Sequence, residues 1–351
     1  PLRPQALLSR EVLNPNTGQP ETPFFTVKEQ TESSATFIRH VPEPEEAETY
    51  HVAEIQEVAY PDRASMLKAL LRGEVDLLAD VALQHVNALR DHPSWITHQY
   101  ALPRTHLLQF HPSSLPFRSP ELRRALLYAL NRNEMLDQIV LKDLPKQWGR
   151  IVTAPFSTKS YAYSPQSRAV VPDMRVGLSL ALAAAKNNDN TLPVLRMIAP
   201  PDDELKPVLD EMIERWRRIG LQVRLLNDEE SKAGEWDIAY RTIVMPEPLI
   251  ELWPFLTLRN SARVTDLQLL PGWLRQRLIE LDLITNWDDA TALLHRIHEN
   301  LWEEVFYIPL WETERFLVHR RGIEGIPERP VHTYDSLELW TAEPWFDRIK
   351  P

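Results

Sequence analysis

The chain has 351 residues, 43% of them hydrophobic and 25% charged, with a formal net charge of −11 and no cysteine. That length predicts two lobes rather than one core. The acidic balance argues against a nucleic-acid partner, whose phosphates require a basic face. The lack of cysteine excludes disulfides, thiol nucleophiles and Cys-bound zinc. No apolar run approaches the ~20 residues of a membrane span. The chain opens Pro1-Leu2-Arg3-Pro4, with neither an initiator Met nor a signal peptide, and so suggests a processed or excised piece of a longer product. Thirty prolines against nine glycines, with no GxGxxG or Walker-type loop, leave no phosphate cradle.

In chain order, residues 1–22 are rich in Pro, Asn and Thr and read as an arm. Strands are expected at Phe24–Lys28 and Ala35–Arg39, paired as a hairpin, followed by an acidic loop over 41–49. Ile55–Tyr60 alternates as a strand. Asp62 then caps a helix carrying Met66, Leu67, Leu70 and Leu71, which Gly73 ends. Val75–Leu78 is a short strand, and a helix over 82–91 and a strand over 95–101 follow. His106–Phe110 is a further strand. Ser119-Pro120-Glu121 starts a helix: Ser caps, Pro fills the first turn, and Glu meets the positive end of the dipole. A second helix begins near Asn131 or Asn133, and 143–175 is a long loop. From 176 the pattern alternates helix and strand: helix 176–187, strand 193–199, helix 203–219 closed by Gly220, and strand Leu221–Leu225. This predicts a mostly parallel sheet. Strand Trp236–Ile243, a Pro-rich bend at 245–248, helices at 271–283 and 287–304, and a strand Phe306–Leu310 running towards Leu317-Val318 complete the pass. The tail ends in Trp340 and Trp345.

Several segments carry a family resemblance, and in order. Gly18–Lys28 resembles a Gly-Thr-Gly-Pro-[Tyr/Phe]-x-[Val/Leu]-Lys segment. Tyr60–Ala79 (YPDRASMLKALLRGEVDLLA) resembles a helix followed by a GEVD unit. Gln109-Phe110-His111 falls where a strand usually reads Phe-Asn. Ser119–Val140 carries Arg123, Ala125, Ala129 and Arg132 in an Arg-x-Ala-x-x-x-Ala-x-x-Arg helix pair. Glu211–Leu225, Trp236–Ala239 and Ile308–Leu310 match a helix–strand unit and two later strands. On these residues the chain resembles the family 5 bacterial extracellular solute-binding proteins, the oligopeptide-, dipeptide- and nickel-binding group. Members are normally longer at the N-terminus. Peptide binders commonly place an Asp in an Asp-Tyr-x-x-Pro context after the Trp236-type strand, to meet a ligand α-amino group. If the prolines align, Val244 holds that position here, and Glu247 is the nearby carboxylate.

The resemblance implies an α/β, periplasmic-binding-protein-like (type II) two-lobed fold, with mixed sheets flanked by helices and an incomplete first lobe. It implies lobe one at 1–108 plus 313–351, lobe two at 109–312, and crossovers near 109–112 and 310–313. Ligand residues expected from it are Gln109, His111, Tyr240, Arg241, Glu247, Trp253, Trp311 and Glu312. Arg241 suits a ligand carboxylate, or equally an internal ion pair with Glu247 or Glu251. The implied role is non-enzymatic: capture of a peptide or similar small solute in an inter-lobe cleft, by a periplasmic or cell-envelope monomer that docks on ABC-importer permease subunits. Membrane contact would come only through an anchor or the permease. A ligand-sensing domain of a transcriptional regulator and a degenerate, non-binding domain are the alternatives. No cofactor and no metal site are read. His295 and His298, at i and i+3, fit a solvated helix face better than a ligand pair. Carboxylate pairs such as Asp202/Asp203 and Asp288/Asp289 sit in helix first turns or on polar faces, and no GxSxG elbow occurs.

Overall fold

The computed structural model describes residues 25–39, 51–227, 230, 235–259 and 264–342, with the backbone of 12–13 and 20–21, which pair as a short antiparallel ladder. The expectations for the remainder of the N-terminal arm, the 41–49 loop and Trp345 lie outside the described residues. The chain divides into two compact units: Pro1–Ala101 with Glu314–Pro351, and Leu102–Thr313.

The first unit opens on an antiparallel meander of β1 (Phe25–Gln30), β2 (Ser34–Arg39) and β3 (Glu54–Val58). Period-2 alternation turns Ala35 and Phe37 inward. Helix α1 (Arg63–Leu71) starts where Asp62 accepts from the Ser65 amide at 2.7 Å. β4 (Leu77–Leu78), α2 (Leu83–Arg90) and β5 (Trp95–Gln99) follow.

The second unit begins with β6 (Arg104–Phe110). Ser119 caps α3 (Pro120–Tyr128) through the Leu122 amide at 3.2 Å. Asn131 caps α4 (Arg132–Met135), which runs on as a π-helix to Leu141. β7 (Gly149–Ile151), α5 (Met174–Lys186), β8 (Val194–Ile198), α6 (Lys206–Arg218), β9 (Gln222–Leu225) and β10 (Ile238–Ile243) come next. Helices α7 (Pro248–Thr257), α8 (Gly272–Leu283) and α9 (Trp287–Glu303) precede β11 (Tyr307–Thr313). The sheet order is β9-β8-β10-β6-β11-β7. β8 lies parallel to β9 and β10, while the β10–β6, β6–β11 and β11–β7 pairs are antiparallel. The expected mostly parallel sheet is therefore a mixed one. Helix–strand alternation fixes only the 194–243 portion, and the long connections before and after it bring strands back in the opposite sense. Helices α7, α8 and α9 share an apolar core with Phe156 and with Tyr307 of β11. Gly177 lets α5 approach α3, since a Cβ there would sit 3.3 Å from the Ala129 nitrogen.

The chain then returns to the first unit. β12 (Phe316–Arg320) pairs with β4 and β5, and β13 (Ile323–Glu324) pairs with β14 (Thr341–Ala342). Phe25, Phe37, Ile323, Leu337 and Trp340 form one core cluster. Gly325 has φ +87°, and a Cβ there would collide with the Leu339 carbonyl. We expect Gly325→Ala to destabilise this unit by about 3 kcal/mol, seen as a lowered Tm, because the left-handed backbone and the collision act together.

The boundary between units falls at 101/102, not at 108/109 as the sequence suggests. Arg104–Phe110 is one continuous strand held on both sides, by β10 and by β11, so a break inside it would rupture two ladders. The return boundary falls at 313/314. Among the described residues no helix is long and apolar enough to cross a membrane.

Candidate functional site

All eight expected ligand residues lie in the second unit. On β10 the register sets Tyr240 opposite Leu108 and Arg241 opposite Leu107, so strand alternation sends the two side chains to opposite faces. Tyr240 is buried. Its hydroxyl lies 2.9 Å from His106 Nδ1, and His106 Nε2 lies 3.1 Å from Thr313 Oγ1. Burial pushes the Tyr240 phenol well above its ordinary pKa. Trp311 is also fully buried, its ring 6.1 Å from that of His106. These two aromatic residues belong to the core of the sheet.

Arg241 is placed differently. It is half-buried, and its guanidinium lies over the Trp236 ring, 5.8 Å from the centroid. Among the described residues it makes no ion pair, with Glu247, Glu251 or any other carboxylate. Burial alone pulls its pKa down. His111 meets the same Trp236 ring edge-on at 4.7 Å, and its Nδ1 accepts from the Ser113 amide at 3.2 Å. Burial lowers the His111 pKa, against the pull of the Asp237 carboxylate. Asp237 fixes the base of this group: it accepts from Ser114 Oγ at 2.8 Å, from the Arg196 amide at 2.9 Å and from Arg196 Nε at 3.1 Å. His111, Trp236 and Arg241 thus form one cluster on a rigid strand end. Trp236 entered the sequence reading only as the start of a strand. Its platform role has no signal in spacing, because His111 reaches it only through the β6–β10 pairing.

The other expected residues are engaged within the fold. Gln109 donates to the Phe255 carbonyl at 2.7 Å. Glu312 is 1% exposed and accepts from Thr158 N at 3.0 Å, Thr158 Oγ1 at 2.6 Å and Arg150 Nε at 2.9 Å. Glu247 accepts from the Tyr161 hydroxyl, and its own amide donates to Glu251 Oε1 at 2.9 Å. Burial raises the Glu251 pKa, with the neighbouring Glu247 adding to the rise. Trp253 is half-buried and lines a cavity of about 220 Å3 with Leu249, Ile250, Leu252, Leu278, Leu281 and Asp282.

His298 corrects the expected solvated helix face. It is 1% exposed. Its Nδ1 accepts from the Ser164 amide at 3.0 Å, so Nε2 carries the proton and donates to Thr153 Oγ1 at 3.0 Å. Burial lowers its pKa to about 4. Residues 152–164, part of the expected long loop, fold back on α9 and cover it, with Thr153 and Ser164 against His298. His295 instead lies 2.9 Å from the Tyr161 carbonyl. Among the described residues no group of three or more His, Cys, Asp or Glu could hold a metal ion.

The two arginines of the Arg-x-Ala-x-x-x-Ala-x-x-Arg segment hold backbone. Arg123 donates to the Phe117 and Glu304 carbonyls, and Arg132 to the Val152 and Pro309 carbonyls. The segment that carries the family resemblance most visibly is thus architectural.

Two α/β units traversed in the order first–second–first, the second built on a mixed sheet, define the binding-protein-like class of fold. Residues 24–261 match the model of the bacterial extracellular solute-binding proteins, family 5 Middle, which is more than half of the chain. The chain belongs to this family, and the non-enzymatic reading of the sequence agrees with it. Among solved structures, it is similar to the periplasmic binding protein DppA from Helicobacter pylori in complex with the peptide STSA, at 14% identity and TM-score 0.71, covering 92% of this chain and 63% of that one. AgaA from A. tumefaciens R10, in complex with agropinic acid, is similar at 16% identity and TM-score 0.73, covering 95% of this chain and 69% of that one. The oligopeptide-binding protein AppA from Bacillus subtilis, in complex with a nonapeptide, gives 13% and 0.74, covering 93% of this chain and 68% of that one. At such identities the likeness shows the fold. The chain spans less than two thirds of the DppA chain. No curated protein sequence matches it.

Proposed function

We propose that the chain captures a small anionic solute, with Arg241 as the anchor for its carboxylate or phosphate, and serves an ABC importer from the extracytoplasmic side by docking on permease subunits. The observation that carries this reading is the half-buried Arg241, which pairs with no carboxylate among the described residues and rests on Trp236. A desolvated guanidinium gains most from a bidentate anion. Family membership supports solute capture, and the relative solved with agropinic acid supports an acidic small molecule as the guest. A zwitterionic peptide is less well met. Val244 offers no charge for an α-ammonium group, and Glu247 is engaged by Tyr161.

A thermal-shift panel of dicarboxylic acids, sugar phosphates and short peptides tests this. We expect an anionic compound to raise the Tm. Arg241→Met should weaken its binding about 100-fold, the scale of one charge-assisted contact, while leaving the ligand-free Tm close to that of the parent. A shift that survives Arg241→Met would remove Arg241 from the site. A panel with no stabilising compound would count against capture altogether. The importer role is tested apart from binding, by co-purification with permease subunits.

A further inference from the structure

Arg241 has a second polar group beside it. His111 follows the last residue of β6, and its amide donates to the Asp237 carbonyl at 2.9 Å, one step beyond the pairing of Phe110 with Ile238. In that register His111 and Arg241 fall on the same face of the sheet. The two side chains meet at Trp236, with the imidazole centroid 4.7 Å and the guanidinium carbon 5.8 Å from the indole. All three residues are half-buried, so a solute reaches them from solvent.

Donors and acceptors fix the state of the imidazole. The Ser113 amide only donates, and it donates to His111 Nδ1 at 3.2 Å, so Nδ1 holds a lone pair. The neutral ring therefore carries its proton on Nε2. Among the described residues that N–H meets no acceptor. A second proton, on Nδ1, would face the Ser113 N–H, and burial also lowers the His111 pKa. The charged groups acting on the ring are Asp237, which favours its protonation, and Arg196, which opposes it. Arg196 is itself paired, with Asp237 at 3.1 Å and Glu235 at 3.0 Å. The group thus offers one unpaired cation, the Arg241 guanidinium, and one neutral donor, the His111 Nε2–H.

We infer that the guest is a carboxylic acid of single negative charge with a hydroxyl or keto oxygen beside its carboxylate, Arg241 holding the carboxylate and His111 Nε2–H donating to the neutral oxygen. Arg241 as the anion anchor is the reading on which this rests, and the class of anion is what His111 adds. The guanidinium fork matches both oxygens of a carboxylate. A phosphate monoester carries a charge of about −1.5 to −2 near neutral pH. Only one unpaired cation is present to meet it, and the Asp237 and Glu235 carboxylates close by repel the excess. An acid that lacks the extra oxygen strips water from the His111 N–H and returns no acceptor, and a site built to donate discriminates against such an analogue.

The test is isothermal titration of the chain near neutral pH with 2-hydroxy, 2-oxo and unsubstituted monocarboxylic acids of matched chain length, and with the corresponding alkyl phosphates. A 2-hydroxy or 2-oxo acid should bind about tenfold more tightly than its unsubstituted counterpart and than the alkyl phosphate. His111→Phe should erase that advantage while leaving the unsubstituted acid unchanged. His111→Gln, whose amide donates from the place of Nε2, should keep part of it. Circular dichroism of both variants separates a lost donor from a lost fold. An advantage that persists in folded His111→Phe, or alkyl phosphates that bind as tightly as the acids, would overturn the assignment of the guest. Arg241 would still stand as the anchor in that case if Arg241→Met abolishes binding of every acid. A parent that binds none of the acids would remove both.

Discussion

Replacing Arg132 by Met should lower the stability of the second unit by ~3 kcal/mol. Arg132 is 3% exposed. Its Nη1 donates to the Val152 carbonyl at 3.0 Å and to the Pro309 carbonyl at 2.6 Å, and its guanidinium lies 5.2 Å from the Trp302 ring centroid. Met keeps the packing of the stem but leaves both carbonyls bare. Hydrogen bonds to a charged group contribute about 1.5–3 kcal/mol each. Part of that is offset, because the buried cation has no carboxylate partner among the described residues and burial already lowers its pKa to about 10. Urea unfolding followed by tryptophan fluorescence measures the net. An unchanged midpoint would mean that the relief of desolvation cancels the two bonds. Arg132→Lys should fall between parent and Met, since an ammonium reaches the carbonyls less well from the same backbone position.

The second large effect is acid destabilisation through His298. Its folded pKa, about 4, lies below the ordinary 6.5, so the fold favours the neutral ring. Above pH 6.5 the ring is neutral in both folded and unfolded chains, and its contribution is complete. Between pH 6.5 and pH 4 the unfolded chain binds a proton that the folded one refuses, and stability falls by ~3 kcal/mol at the most. A protonated ring would also present an N–H to the Ser164 amide that it now accepts from. We expect the stability of the parent to drop more steeply between pH 7 and pH 4 than that of His298→Gln, by this amount, in parallel denaturant titrations. Superimposable pH profiles would show that His298 does not carry the acid sensitivity.

Much of the secondary structure was legible because its determinants are local. Asp62 and Ser119 accept from amides three residues on, so caps read from sequence became caps in the structure, and of the two asparagines near the next helix start it is Asn131 that caps. The helix–strand alternation from 174 to 225 likewise gave parallel pairing. The site was less legible. Arg241 was named because its residue type suits an anion, and the structure leaves it without an ion pair among the described residues. Glu312 was named because the resemblance places a crossover beside it, yet Thr158 and Arg150 occupy its carboxylate. Spacing along β11 cannot tell an offered carboxylate from a satisfied one.

Residue order by itself determined the elements, their caps and the family, because hydrophobic period and capping act over a few neighbours. Only the tertiary structure decided where the units divide, that Trp236 joins His111 to Arg241, and that His98 meets His319 across 221 residues of chain. Those outcomes depend on which strands lie side by side. Pairing between distant segments is fixed by the burial of the whole sheet, which no local window of sequence contains.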